Sequence, residues 1–170
     1  MIESDLKFVG RVFTVELDKV LLSDGRHSRR EIVRHPGGSC IVALDLYGNI
    51  YMVRQYRLAL GRITLELPAG LGEPDETPLD CAVRELHEET GLVAEDWRRL
   101  ASIHTSPGYS DEVSHIFLAE GLTMGNSNPD DGEFVTVEKL PLTEAVEMVL
   151  NGSISDAKSC VGILLAAKLA

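Results

Sequence analysis

The stretch from Gly70 to Leu92, GLGEPDETPLDCAVRELHEETGL, constrains this chain more than any other. Two glycines enclose a segment that must be helical. Thr77 is placed to cap the helix, Pro78 suits the first helical position because its missing N–H would be unpaired there anyway, and Asp80 complements the positive end of the dipole. Leu79, Ala82, Val83 and Leu86 recur at helical spacing and predict a narrow apolar stripe facing a core. Gly91 supplies the stop, since glycine adopts the left-handed C′ conformation without a steric penalty. On this geometry Glu85, Glu88 and Glu89 share one flank, turned away from the stripe.

Like charges four residues apart, as in Glu85 and Glu89, destabilise an isolated helix by roughly 0.2–0.5 kcal/mol, so the cluster calls for a countercharge. A divalent cation would supply it, and hard oxygen ligands with room for water and phosphate suit Mg²⁺ or Mn²⁺. Arg84, four residues before Glu88, can hold that carboxylate in place. The plainer reading of the same run is a solvated acidic face.

The wider pattern decides between them. Gly70, Glu76, Arg84, Glu85, Leu86, Glu88, Glu89, Gly91 and Leu92 fit the box G-x5-E-x7-R-E-U-x-E-E-x-G-U, with U aliphatic, and by it the chain resembles a Nudix hydrolase. The resemblance implies an α/β fold, an α/β/α sandwich around a mixed sheet, and metal-dependent hydrolysis of a nucleoside diphosphate linked to another moiety. Pro107 stands sixteen residues beyond Gly91 in an SPGYSDE loop, which resembles the ADP-ribose pyrophosphatase group. That likeness implies AMP and ribose 5-phosphate as products, with another nucleoside diphosphate sugar or a non-catalytic nucleotide-binding protein as the alternatives.

The same resemblance implies that Mg²⁺ (or Mn²⁺) is held by Glu85, Glu89, the carbonyl of Ala69 and Glu88, and that Glu112 or Glu88 takes the proton from the attacking water. It further implies a homodimer in which an N-terminal β unit is exchanged, with Arg30 and Glu31 facing the partner's adenine. Arg57, in the RQYR run, is a candidate phosphate clamp because a guanidinium matches phosphate oxygens two at a time. It also reads simply as a strand-end arginine. Asp156-Ala157-Lys158 bears a weak likeness to the same group.

With 170 residues, 44% of them hydrophobic and 25% charged, the chain suits one domain and a small appendage. A formal charge of −11 argues against nucleic-acid or anionic-membrane surfaces, which need basic patches. Cys40, Cys81 and Cys160 form no C-x-x-C pair, so reduced thiols and a cytoplasmic setting are expected. No signal peptide is evident, and Val161 to Ala167 is too short to span a bilayer.

In chain order, residues 7–22 read as one alternating strand, Ser23-Asp24-Gly25 as a turn, and a second β segment begins near Arg30. His35-Pro36-Gly37-Gly38 bounds an N-terminal β unit, 1–38, from the main domain, 39–170. SCIVALDL and IYMVRQYR read as a hairpin, and Ile63 to Leu67 as a strand leading through Pro68-Ala69-Gly70 into the helix. Trp97 to His104, Val113 to Ala119 and Phe134 to Val137 give further strands, and Met124 to Glu133 a polar loop. Thr143 to Leu150 and Ser155 to Leu169 read as helices. His35, His104 and His115 read as loop or strand residues rather than metal ligands.

Overall fold

The computed structural model describes residues 1–125 and 135–169. Its strands are β1 (Glu3–Val9), β2 (Thr14–Leu21), β3 (His27–Arg34), β4 (Gly38–Leu44), β5 (Asn49–Arg57), β6 (Arg62–Glu66), β7 (Ala69–Leu71), β8 (Leu92–Val93), β9 (Asp96–His104), β10 (Val113–Glu120), β11 (Thr123–Met124) and β12 (Thr136–Pro141). The helices are α1 (Pro78–Thr90), α2 (Leu142–Leu150) and α3 (Ala157–Leu169). Two compact units result, one of residues 1–37 with 104–113 and one of 38–103 with 114–170.

The first unit is an antiparallel meander, β1-β2-β3. Residues 7–22, expected as one strand, are two, because the chain turns at Gly10, whose N–H donates to the carbonyl of Phe13 at 2.9 Å. Every residue of β1 is exposed, including Leu6, Phe8 and Val9.

The second unit is built on a mixed sheet in the order β12-β5-β4-β10-β9, with β6 on β5 and β7 on β4. The β4–β10 pairing is parallel. Successive residues of a strand point to opposite faces, so β4 feeds two cores. Cys40 and Val42 join Ile116 and Leu118 beneath Leu142, Ala145, Ile163 and Ala166 of α2 and α3. Ile41 and Ala43 join Phe117 and Ala119 against Ala82 and Leu86 of α1. Helices therefore cover both faces, as the α/β/α expectation required, and β4 is buried along nearly its whole length.

The short strands β7, β8 and β11 escape a reading by composition. β7 in particular lies inside the Pro-Ala-Gly run expected only to lead into the helix, yet Ala69 pairs with Cys40 and Gly70 with Ser39. Residues 126–133 of the expected polar loop and Phe134 lie outside the described residues, while β12 begins at Thr136.

Candidate active site

Helix α1 is fixed at both ends by the residues expected to do so. Thr77 Oγ1 accepts from the N–H of Asp80 at 3.2 Å, and Gly91, at φ 71°, donates its N–H to the His87 carbonyl at 2.8 Å. Ser39 of β4 anchors the first turn by donating its hydroxyl to the Pro78 carbonyl at 2.6 Å.

The buried face of the helix is only in part the expected one, for of the apolar stripe Ala82 and Leu86 are buried. Leu79 and Val83 are exposed, and the face turned inward carries Cys81, Ala82, Glu85, Leu86 and Glu89. Hydrophobicity alone put the carboxylates outside. Each of Glu85 and Glu89 keeps only 9% of its surface. Such burial is tolerable only because polar partners replace water. Glu89 accepts from the Ala69 N–H at 2.9 Å, and Glu85 accepts from Arg84 Nη1 at 2.7 Å.

Arg84 organises the flank. Its Nη1 also donates to Glu88 at 2.9 Å, its Nε and Nη2 grip Glu76 at 2.9 and 3.0 Å, and Nη2 reaches the Leu71 carbonyl at 2.9 Å. The expected Arg84–Glu88 pair is present, and Glu76 gains a physical role as the third carboxylate on one guanidinium. That contact holds the Glu76 carboxyl below its usual range, and in turn raises the Arg84 guanidinium.

Gly70 lets the Glu85 carboxylate lie where a side chain would otherwise be. A Cβ on it would lie 1.9 Å from Oε1 of Glu85 and 2.0 Å from its Cδ, so the carboxylate rests directly on the strand backbone. The donors within this cradle are carboxylate and main-chain oxygens, the chemistry that suits a hard divalent cation. Among the described residues no three acidic, histidine or cysteine side chains converge on one point, because Arg84 spans Glu85 and Glu88 while Glu89 is tied to Ala69. The donor set fits such an ion, with Arg84 as its counterpart in positive charge.

Arg57, at the end of β5, meets Glu66 of β6 in a two-point contact, Nε to Oε1 at 2.9 Å and Nη2 to Oε2 at 2.7 Å. Glu66 is 3% exposed and also accepts from Thr64 Oγ1 and from Lys158 Nζ, each at 2.7 Å. Burial pushes its carboxyl up, but Arg57 and Lys158 outweigh that and hold it at about 2. Sequence reading named Arg57 and missed Glu66 altogether. The only signal was Lys158, noticed in the Asp156-Ala157-Lys158 run.

Glu112, Arg30 and Glu31 belong to the other unit. Glu112 accepts a hydrogen bond from the Thr105 hydroxyl, and His35 Nδ1 stands 3.8 Å from its Oε1. Arg30 Nη1 donates to Ser28 Oγ at 2.6 Å and to the Arg29 carbonyl at 2.8 Å, and Glu31 sits opposite Leu17 on the exposed side of β3.

Against known proteins, the NUDIX domain family model matches residues 33–159. The chain is 40% identical over 164 residues to the methanol dehydrogenase activator of Bacillus methanolicus, covering 95% of this chain and 89% of that protein. It is also 40% identical over 158 residues to the ADP-ribose pyrophosphatase of Bacillus subtilis, covering 92% and 85%. The crystal structure of an ADP compounds hydrolase shares the fold, with a TM-score of 0.86 and 22% identity over 99% of this chain and 91% of that one.

Proposed function

This chain belongs to the NUDIX domain family, and from that premise we propose that it hydrolyses the pyrophosphate of ADP-ribose to AMP and ribose 5-phosphate with the aid of Mg²⁺ or Mn²⁺. The observation that carries the reading is the flank of α1, where Glu85 and Glu88 share the Arg84 guanidinium and Glu89 is held by the Ala69 N–H. Similarity to an ADP-ribose pyrophosphatase over most of both chains supports the choice of substrate.

A divalent cation bound by Glu85, Glu89, Glu88 and the Ala69 carbonyl would neutralise phosphate charge and acidify a bound water. The residues of the chain divide the remaining work. Arg84 and the Ala69 N–H hold the carboxylates in register, and Arg57 takes phosphate oxygens with the guanidinium edge not spent on Glu66. Glu112 accepts the proton of the attacking water, with Glu88 as its rival.

Hydrolysis rates over a panel of nucleoside diphosphate derivatives, with Mg²⁺ and with a chelator, test the reading. ADP-ribose should be turned over fastest, and only with metal; a different best substrate would overturn the choice, and undiminished turnover in chelator would overturn the metal. Glu112→Gln should lower kcat by roughly 10²–10⁴-fold with little change in KM, the usual effect of losing a positioned base. Rescue by extra Mg²⁺ would make Glu112 a metal ligand instead, and a rate near wild type would move the role to Glu88.

The apolar residues on the exposed strand β1 support a homodimer formed through the N-terminal unit, with Arg30 and Glu31 offered to the partner's adenosine pocket. Sedimentation should give a dimer, and removal of residues 1–35 should leave a monomer with raised KM. An unchanged KM in that monomer would overturn this assembly. Cys40, Cys81 and Cys160 are free thiols, in keeping with a cytoplasmic setting. Fractionation of the source cells would test it, and recovery outside the cytoplasm would overturn it. No helix among the described residues is long and apolar enough to cross a membrane.

A further inference from the structure

The cluster around Glu66 is more elaborate than a strand-end arginine needs. Lys158 Nζ, which donates to Glu66, is itself held by Asp156 Oδ1 at 2.8 Å. Asp156 Oδ2 accepts from the N–H and the hydroxyl of Ser159 at 2.9 and 2.6 Å, the pattern of a capped helix start at α3. Ser159 Oγ in turn accepts from the Leu67 N–H at 2.8 Å, on the strand end that leads to Ala69. Every member of this chain of contacts is fixed by another.

The outermost member is Arg57, whose side chain keeps 39% of its surface while that of Glu66 keeps 3%. Of the five guanidinium N–H groups, Nε and one on Nη2 are directed at Glu66. Nη1 and the second hydrogen of Nη2 take no part in that pairing, so one edge is anchored and the other is presented.

We propose that Glu66, fixed by Lys158 and Asp156, is a positioning residue that presents the Nη edge of Arg57 to a diphosphate group. The inference rests on the reading of Arg57 as the phosphate clamp, and it assigns the Asp156-Ala157-Lys158 run the task of fixing Glu66. A guanidinium locked in place loses less freedom on binding than one on a mobile stem, so its contact with phosphate is stronger.

The test is a double-mutant cycle on the full-length protein, read by calorimetric binding of ADP in the presence of EDTA. Arg57→Ala should weaken ADP binding about tenfold or more, the usual worth of a charged hydrogen bond. Glu66→Gln, which leaves Lys158 paired with Asp156, should weaken it several-fold. In the Arg57→Ala background, Glu66→Gln should change nothing further, because a residue that acts only through Arg57 has nothing left to position. Additive losses, or an unchanged affinity in Glu66→Gln, would overturn the proposal in favour of a purely structural cluster.

If Glu66→Gln fails to fold, Glu66→Gln/Lys158→Met removes the buried charges together and carries the same expectation. Coupled losses in a wild-type protein that does not hydrolyse ADP-ribose would sink the proposed activity and leave this inference standing. Hydrolysis of ADP-ribose with uncoupled losses would do the reverse.

Discussion

Arg84 and Arg57 lie in the same unit and both grip carboxylates, yet the charge around them is arranged in opposite ways. Arg84 is shared by Glu76, Glu85 and Glu88, with Glu89 one residue further on, so its surroundings keep an excess of negative charge. Arg57 meets Glu66, which also holds Lys158, which also holds Asp156, so positive and negative charges balance. An excess leaves room for a cation, whereas a balanced set has no electrostatic reason to move. The first arrangement suits chemistry and the second suits holding a group still.

The same substitution on the two sides should break this comparison if it is wrong. Glu85→Gln and Glu89→Gln each remove a charged oxygen donor at constant size, and metal-dependent kcat should fall by several orders of magnitude with little change in fold. Glu66→Gln should instead leave most of kcat and raise KM. Steady-state kinetics on the three variants decide it, and comparable kcat losses in all three would abolish the distinction.

Arg84→Ala should destabilise the protein by about 3–5 kcal/mol, since removing one partner leaves charged groups buried without compensation. Added Mg²⁺ should recover part of that loss, raising the melting temperature of Arg84→Ala more than that of wild type. Equal shifts in the two proteins would mean that the ion does not answer the negative excess.

The balanced side should show in acid. The Glu66 carboxyl, about 2 in the folded chain, lies below its usual value of 4.5. A depressed carboxyl contributes stability that is complete above its unfolded value and is lost as pH falls toward the folded one. The contribution is at most about 3 kcal/mol and should disappear between pH values of about 4.5 and 2. Denaturant unfolding across that window should give wild type a steeper loss than Glu66→Gln, and parallel curves would contradict it.

The two arginines also mark how far sequence reading reaches. The contact of Arg84 with Glu88 spans four residues on one helix, and helical spacing alone brings the two together. The capped ends of α1 were legible for the same reason. Glu66 meets Arg57 across two paired strands and Lys158 across 92 positions, and only the sheet register and the seat of α3 produce those meetings. The inward turn of Glu85 and Glu89 was hidden differently. An apolar stripe predicts the buried face only where burial is apolar, and here it depends on a strand N–H and a guanidinium.

The seat of Glu85 on Gly70 has a consequence for how the sequence can drift. A side chain at position 70 would begin 1.9 Å from a carboxylate oxygen, so Glu85 would have to swing out of its contact with Arg84 to admit one. Shortening Glu85 to aspartate would draw the carboxylate back and open the space, but it would also withdraw the donor from the metal that the proposed chemistry uses. The two positions are therefore coupled: a side chain at 70 displaces the Glu85 carboxylate, and a shorter residue at 85 makes room for one. Descendants of this chain that keep the activity should therefore keep both residues, and those that have lost one are free to lose the other.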